Sequence, residues 1–518
     1  MYRRASAAKS PVATPSPPRT TRRSARSGGA PSPSPARATR RLFLTILALS
    51  ATLGAGVATA AFARPHLARA RAVEAASIEA SRALPHAVSA VGVSYDAGKE
   101  AGSGPLDPAT HLVGTLFYPT PHASGVGRPP RSPLWSTWHY TRGYLAFGSR
   151  RGGGVGWGGR LVECVSATFF NTLLATVRLP VAGVALSPSP GPHLPVIFSH
   201  GLGGTRHAYS ALCAGLAGRG FVVLSLEHAD ATAAVAKLAG DRGWLPYASW
   251  AGDAGTFARS AYRQVELDTA ARLLEALASP GGSASLPGLC LEDLGGRPSP
   301  LPSLLSGTLA RAPHIRPAVV GHSFGGAAAV QAAATGKWSA AVAVDPWYGA
   351  LPADAPPFTT GLASPLLVLA SHQWNIPNAK TGELSCGKAR QDALFQAAAG
   401  KGAGLVHAVV GQTLHVDFGD VAALVGAAYP ALAAKPSKKA MALQTGRLGL
   451  ANDNGGSGLG TADAVAVVRL TARATADWLA KFMREEGGVV GQREGSALMG
   501  AAAKEGVQLV SVKVRAGS

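Results

Sequence analysis

The sequence predicts an α/β fold, a mostly parallel central sheet covered by helices on both faces. Three observations carry that prediction. Short apolar runs alternate with helical ones along much of the chain, as in sheets buried from both sides. The pentapeptide Gly321-His322-Ser323-Phe324-Gly325 stands between an apolar run at 317–320 and an Ala-rich helix start at 326–332. The chain is 518 residues long, 47% hydrophobic and only 15% charged, enough for a large core.

In chain order, residues 1–41 are rich in Pro, Ser and Arg and have no apolar period, so they read as a disordered arm. Residues 42–63 form a run of 22 uncharged positions, long enough to cross a bilayer. The run is flanked by Arg40, Arg41 and Arg64, and ends in Ala61-Phe62-Ala63, a pattern a signal peptidase cuts. A signal anchor and a cleaved signal peptide are both open readings, and the long basic arm favours the anchor. The domain would then be lumenal, extracellular or secreted. An Arg- and Ser-rich leader without acids also fits plastid or mitochondrial targeting.

The net charge of +21 invites a nucleic-acid partner, but its distribution argues against one. Between Met1 and Val73 there are 13 Lys and Arg and no acidic residue, so the excess belongs to an arm rather than to a domain face. No zinc spacing or RNA-binding signature accompanies it.

After a linker at 64–90, a folded domain is expected over 91–485. Strands are expected at 112–119 (ended by Pro119), 195–200, 221–226, 317–320, 340–344, 365–370 and 405–410, the last of the sheet. Helices are expected at 209–218, 264–278 and after Ser323, with an amphipathic terminal helix at 464–482. Segments 120–134, 281–316 and 434–461 read as loop insertions, and 486–518 as a tail of unknown role. Cys164, Cys213, Cys290 and Cys386 show no C-x-x-C spacing, which argues against a structural zinc site and leaves disulfides or free thiols open.

G-x-S-x-G between a strand and a helix is the nucleophile elbow of the α/β-hydrolase fold. Gly321 and Gly325 leave room in the sharp turn that projects Ser323 out of the sheet. A serine hydroxyl needs a base within hydrogen-bond reach, and the base needs an orienting acid. In this fold the chain order is serine, acid, histidine. Asp345 stands at the tip of the next strand, where site residues gather. The following strand ends in Ser371-His372-Gln373, without a carboxylate. His415, after the 405–410 strand, meets the order rule as base. Asp417 and Asp420 are rival acids, while His372 and His407 are rival histidines. The oxyanion hole falls on the backbone N–H of Phe324 and of Leu202 in the loop Gly201-Leu202-Gly203-Gly204. No metal and no cofactor are required by this chemistry.

The segments Phe198-Ser199-His200-Gly201-Leu202-Gly203, Gly220-Phe221-Val222-Val223, Glu227-His228-Ala229-Asp230, Gly321 to Gly326, Asp345-Pro346-Trp347 and His415-Val416-Asp417-Phe418 resemble the platelet-activating-factor acetylhydrolase family, plasma-type and intracellular type II. Arg263-Gln264 to Leu267-Asp268 and Trp374-Asn375-Ile376-Pro377 are weaker landmarks, and the likeness runs over about 90–425. The resemblance implies a calcium-independent phospholipase A2 that hydrolyses short or oxidised sn-2 acyl groups. It assigns Ser323, Asp345 and His415 as triad, with Leu202 and Phe324 as oxyanion residues, and makes a phospholipid or other small ester at a membrane surface the expected partner. Ala229 departs from the family's Glu-His-Arg-Asp, which puts acyl and head-group preference in question. A lipase-like or polyester-degrading enzyme on the same fold is the alternative, and a catalytically silent binding protein the alternative from another class.

Overall fold

The structure is a computed structural model. It describes residues 83–97, 106–122, 138–150, 189, 193–240, 242–248, 252–279, 286–293, 316–377, 382–400, 403–420, 463–484 and 490–517. The expected arm and apolar segment at 1–63, Cys164 and most of the three insertions lie outside them. No described helix is long and apolar enough to cross a membrane.

Among the described residues twelve strands form, β1 (Ala87–Asp96), β2 (His111–Thr120), β3 (Leu194–Ser199), β4 (Phe221–Glu227), β5 (Val235–Lys237), β6 (Trp244–Pro246), β7 (Leu289–Asp293), β8 (Ala318–His322), β9 (Ala341–Val344), β10 (Leu366–Ser371), β11 (Leu405–Val410) and β12 (Leu509–Arg515). Ten of them build one sheet in the order β12-β11-β10-β9-β8-β3-β4-β2-β1-β7, and β5 pairs with β6 in a separate hairpin. The six strands from β11 to β4 run parallel. Each of them is buried at every position, as is the antiparallel β2, which only a sheet covered on both faces can accommodate. Antiparallel strands complete the two ends, β12 against β11 and β2, β1 and β7 beyond β4.

Alternate residues of each strand feed two cores. Ile197, Val319, Leu366 and Val368 join a layer with helices α3 (Gly252–Ala278), α4 (Phe324–Ala333), α5 (Pro356–Thr359) and α6 (Lys388–Gly400). Val196, Phe198, Val320, Leu367 and Leu369 join the other layer, with α2 (Ser210–Ala217), α7 (Ala464–Arg484) and α8 (Gln492–Lys504). A further helix, α1 (Trp138–Arg150), lies near the β5–β6 hairpin, where His139 stacks on Trp244 at 4.7 Å.

Several expectations need correction. The sheet begins at Ala87, inside the expected linker, and its last strand is β12, inside the segment read as a tail. The helix expected from Gln264 begins at Gly252. Pro119 does not end its strand. β2 continues to Thr120, because only Val113–Phe117 pair with β4, and the proline lies past that stretch. Of the two cysteine states left open by the spacing, Cys213, Cys290 and Cys386 take the free thiol.

The order of the sheet fixes where a site can form. β3 connects to β4 on one side, and the chain then returns to β8 on the other, so a crevice opens beyond the C-terminal ends of these two strands. Four non-glycine residues have positive φ among the described residues, Ala231, Ser323, Asp345 and Gln412. Each follows the C-terminal end of a parallel strand (β4, β8, β9 and β11), so the backbone strain is concentrated at one end of the sheet.

Candidate active site

Ser323 sits between β8 and α4 with φ 58° and ψ −114°. A Cβ on Gly321 would lie 2.1 Å from the carbonyl oxygen of Gly325, and one on Gly325 would lie 2.0 Å from that of Ser199. Only glycine allows the helix start to approach β3 this closely. Gly325→Ala is therefore expected to cost about 3 kcal/mol or to displace the elbow. Denaturant unfolding beside wild type measures it.

The structure brings the three predicted side chains together in series. His415 Nε2 is 3.0 Å from Ser323 Oγ, and His415 Nδ1 is 2.6 Å from Asp345 Oδ2. Asp345 is fully buried, and its other oxygen, Oδ1, accepts the Ser371 N–H at 2.8 Å. With both carboxylate oxygens engaged, Nδ1 of His415 carries the proton and Nε2 is left to accept from the serine hydroxyl.

Residues that sequence reasoning did not assign hold the imidazole. Trp374 stacks on the His415 ring at 3.6 Å and 7°, and His322 stacks on it at 4.6 Å and 29°. His322 Nε2 donates to the His415 carbonyl at 2.9 Å, and the Tyr209 hydroxyl donates to His322 Nδ1 at 2.7 Å. Burial and the neighbouring His415 push the His322 pKa well down, so the ring is neutral. Gln373 Oε1 accepts the His415 N–H at 2.9 Å.

The rival residues have other partners. Asp417 accepts the Leu414 N–H at 2.7 Å, and Asp420 accepts the Ala211 N–H at 3.1 Å at the start of α2. His407 points from β11 to Gln391 at 3.0 Å, and His372 Nδ1 accepts the Gln412 N–H at 3.3 Å. Burial outweighs the Ala211 and Ser210 N–H groups at Asp420 and raises its pKa to about 8. A carboxyl that keeps its proton when folded binds more protons than the unfolded chain, so its contribution to stability falls as pH rises from about 4 towards 8. Asp420→Asn is expected to flatten the stability–pH curve over that window. Urea midpoints from pH 4 to 8 check it, and an unchanged slope counts against the assignment.

The loop after β3 passes beside the serine. A Cβ on Gly201 would stand 2.9 Å from Ser323 Cβ, and Gly203, at φ 73°, packs under the Phe147 ring of α1. The N–H of Gly203 donates to Thr232 O and that of Gly204 to Gly201 O. The N–H groups of Leu202 and of Phe324, the first residue of α4, have no acceptor among the described residues. Ala229 is buried, with its N–H bonded to Glu266 Oε1 at 3.0 Å.

His322, Asp345 and His415 form the one cluster among the described residues with ligand atoms close enough to share a metal ion. Their nitrogens are already committed to Tyr209, the His415 carbonyl, Asp345 and Ser323, so the donor set suits proton transfer rather than a cation.

A family model described as platelet-activating factor acetylhydrolase, isoform II, matches residues 158–284 and 301–412. That stretch includes Leu202, Ser323, Phe324 and Asp345 and stops just short of His415. A platelet-activating factor acetylhydrolase of Cavia porcellus is 32% identical over 201 residues, covering 36% of this chain and 44% of that protein. The chain thus spans less than half the length of that relative. Among solved structures, a ferulic acid esterase from Streptomyces cinnamoneus aligns with a TM-score of 0.48 and 19% identity, over 83% of this chain and 97% of that one. The family model, the curated relative and the residue pattern agree in likening this chain to the platelet-activating factor acetylhydrolase family, the model over somewhat less than half of its length.

Proposed function

We propose that this chain is a serine-dependent carboxylic ester hydrolase whose substrates are phospholipids with a short or oxidised sn-2 acyl group. The observation that carries the reading is the hydrogen-bonded series Asp345–His415–Ser323 beside two backbone N–H groups that have no acceptor among the described residues. His415 Nε2 takes the Ser323 proton as Oγ attacks the ester carbonyl carbon. The carbonyl oxygen gains negative charge and receives hydrogen bonds from the Phe324 and Leu202 N–H groups. Asp345 orients the ring and stabilises the imidazolium. Collapse of the tetrahedral intermediate breaks the ester bond, and the lysophospholipid alkoxide leaves with the proton from His415. Water, deprotonated by His415, then attacks the acyl-serine and releases the acid.

The substrate class rests on the likeness to the family model and on the relative's name. Its test is turnover of phosphatidylcholines of graded sn-2 length beside a triglyceride. The reading expects a steep fall as the sn-2 chain lengthens and little triglyceride hydrolysis; the reverse order would favour a lipase. Anchorage through residues 42–63 is part of the proposal and is supported by their length and lack of charge. Carbonate extraction of membranes checks it, since a peripheral or cleaved protein would be released.

A further inference from the structure

Behind the loop that carries Leu202 lies a buried polar cluster in which the mechanism above has no part. Ser199, His200, His228, Asp230, Thr232, Arg263 and Glu266 are all buried, and Arg263 is the largest fully buried side chain of the described residues. Ser199 Oγ is 2.7 Å from His228 Nε2, and His228 Nδ1 is 2.5 Å from Glu266 Oε2. This repeats the serine–histidine–carboxylate order of the open site, but with every member sealed from solvent it has no substrate to meet.

Arg263 joins this cluster to the site. Its Nε donates to Asp230 Oδ2 at 2.8 Å and its Nη2 to Thr232 Oγ1 at 2.6 Å. Its Nη1 donates to the His200 carbonyl at 2.5 Å, one residue before the Gly201-Leu202 turn. The guanidinium carbon also lies 4.3 Å from the centroid of the Phe324 ring. The two segments whose N–H groups face the reacting oxygen are therefore held by one planar cation: the Leu202 side through a carbonyl hydrogen bond and the Phe324 side through a cation–π contact. Asp230 compensates the charge: burial alone would raise its pKa, but the Arg263 guanidinium pulls it below the usual carboxylate range. With its charge paired, the guanidinium acts chiefly by fixing geometry, and its field at the oxyanion is largely cancelled.

The geometry assigns Arg263 as the positioning residue of the oxyanion hole, setting the separation of the Leu202 and Phe324 N–H groups. This rests on the esterase reading. A merely structural ion pair would alter stability and leave the chemical step alone. A positioning residue alters the affinity for species that carry an oxyanion, and leaves ground-state binding alone.

The test compares wild type, Arg263→Gln and Arg263→Lys as full chains. It measures kcat and KM for a short-chain phosphatidylcholine, inhibition by a trifluoromethyl ketone (which forms an oxyanion on Ser323) and thermal melting. Arg263→Gln is expected to lower kcat by about 100-fold and to weaken the ketone by a similar factor, with KM within about twofold. Arg263→Lys keeps the charge without the three-way bridge and is expected to fall between the two. An Arg263→Gln protein with kcat and ketone affinity within about twofold of wild type overturns the inference, whatever its melting temperature. So does a loss of kcat without a loss of ketone affinity. If Arg263→Gln does not fold, Thr232→Val removes one guanidinium acceptor. A parallel loss of about threefold in kcat and ketone affinity is then expected, and no change in either overturns the assignment. A wild-type chain without ester turnover would sink the esterase reading itself, whereas an active wild type beside an unaffected Arg263→Gln sinks the positioning role alone.

Discussion

Replacement of Ser323 by alanine is expected to reduce kcat by about 10⁶-fold, with the fold retained. The hydroxyl is the atom that forms and breaks the acyl bond, and no other described group stands in its place. His415 Nε2 lies 3.0 Å from it, and the other buried serine chain, at Ser199, has no access to substrate. The variant should keep its circular dichroism and melting temperature, since the elbow is shaped by Gly321 and Gly325 and not by Oγ. It should also lose labelling by a fluorophosphonate probe. Turnover within about tenfold of wild type would exclude the acyl-enzyme route.

Asp345→Asn is expected to cost about 10⁴-fold in kcat with KM little changed. The argument is one of proton placement. Oδ1 accepts the Ser371 N–H and Oδ2 faces His415 Nδ1. An asparagine would keep its carbonyl oxygen on Ser371 and turn its NH₂ towards the imidazole. Nδ1 would then have to accept, which moves the ring proton to Nε2, where it blocks transfer from Ser323. The size of the side chain hardly changes, so a loss in stability is not the cause. If the variant retained more than about a tenth of wild-type kcat, Asp345 would not be setting the tautomer.

The parts of the site legible in the sequence were those that local rules fix. The elbow shows because its glycines stand where any Cβ would meet backbone oxygens at 2.1 and 2.0 Å, and Asp345 and His415 show because the fold imposes a chain order. The supports of the imidazole were less legible. Trp374 and His322 meet His415, and Tyr209 meets His322, only through tertiary packing, and no spacing rule connects Tyr209 to the site. The parallel strands were legible because each is a continuous apolar run. β12 was not, although Val510, Val512 and Val514 alternate. It lies at the sheet edge, pairs on one side and is half-exposed, so its pattern competes with that of an ordinary surface segment. The early start of α3 was hidden by Gly252 and Gly255, which carry poor helix propensity.

The direction of β12 has a practical consequence. Leu509 pairs with Val410, at the site end of the sheet, and Arg515 pairs with Leu405 at the far end. A peptide linker, affinity handle or solid support joined after Arg515 would leave the molecule on the side away from Ser323. Immobilised in that way, the protein would present its crevice outward to vesicles or particles in suspension.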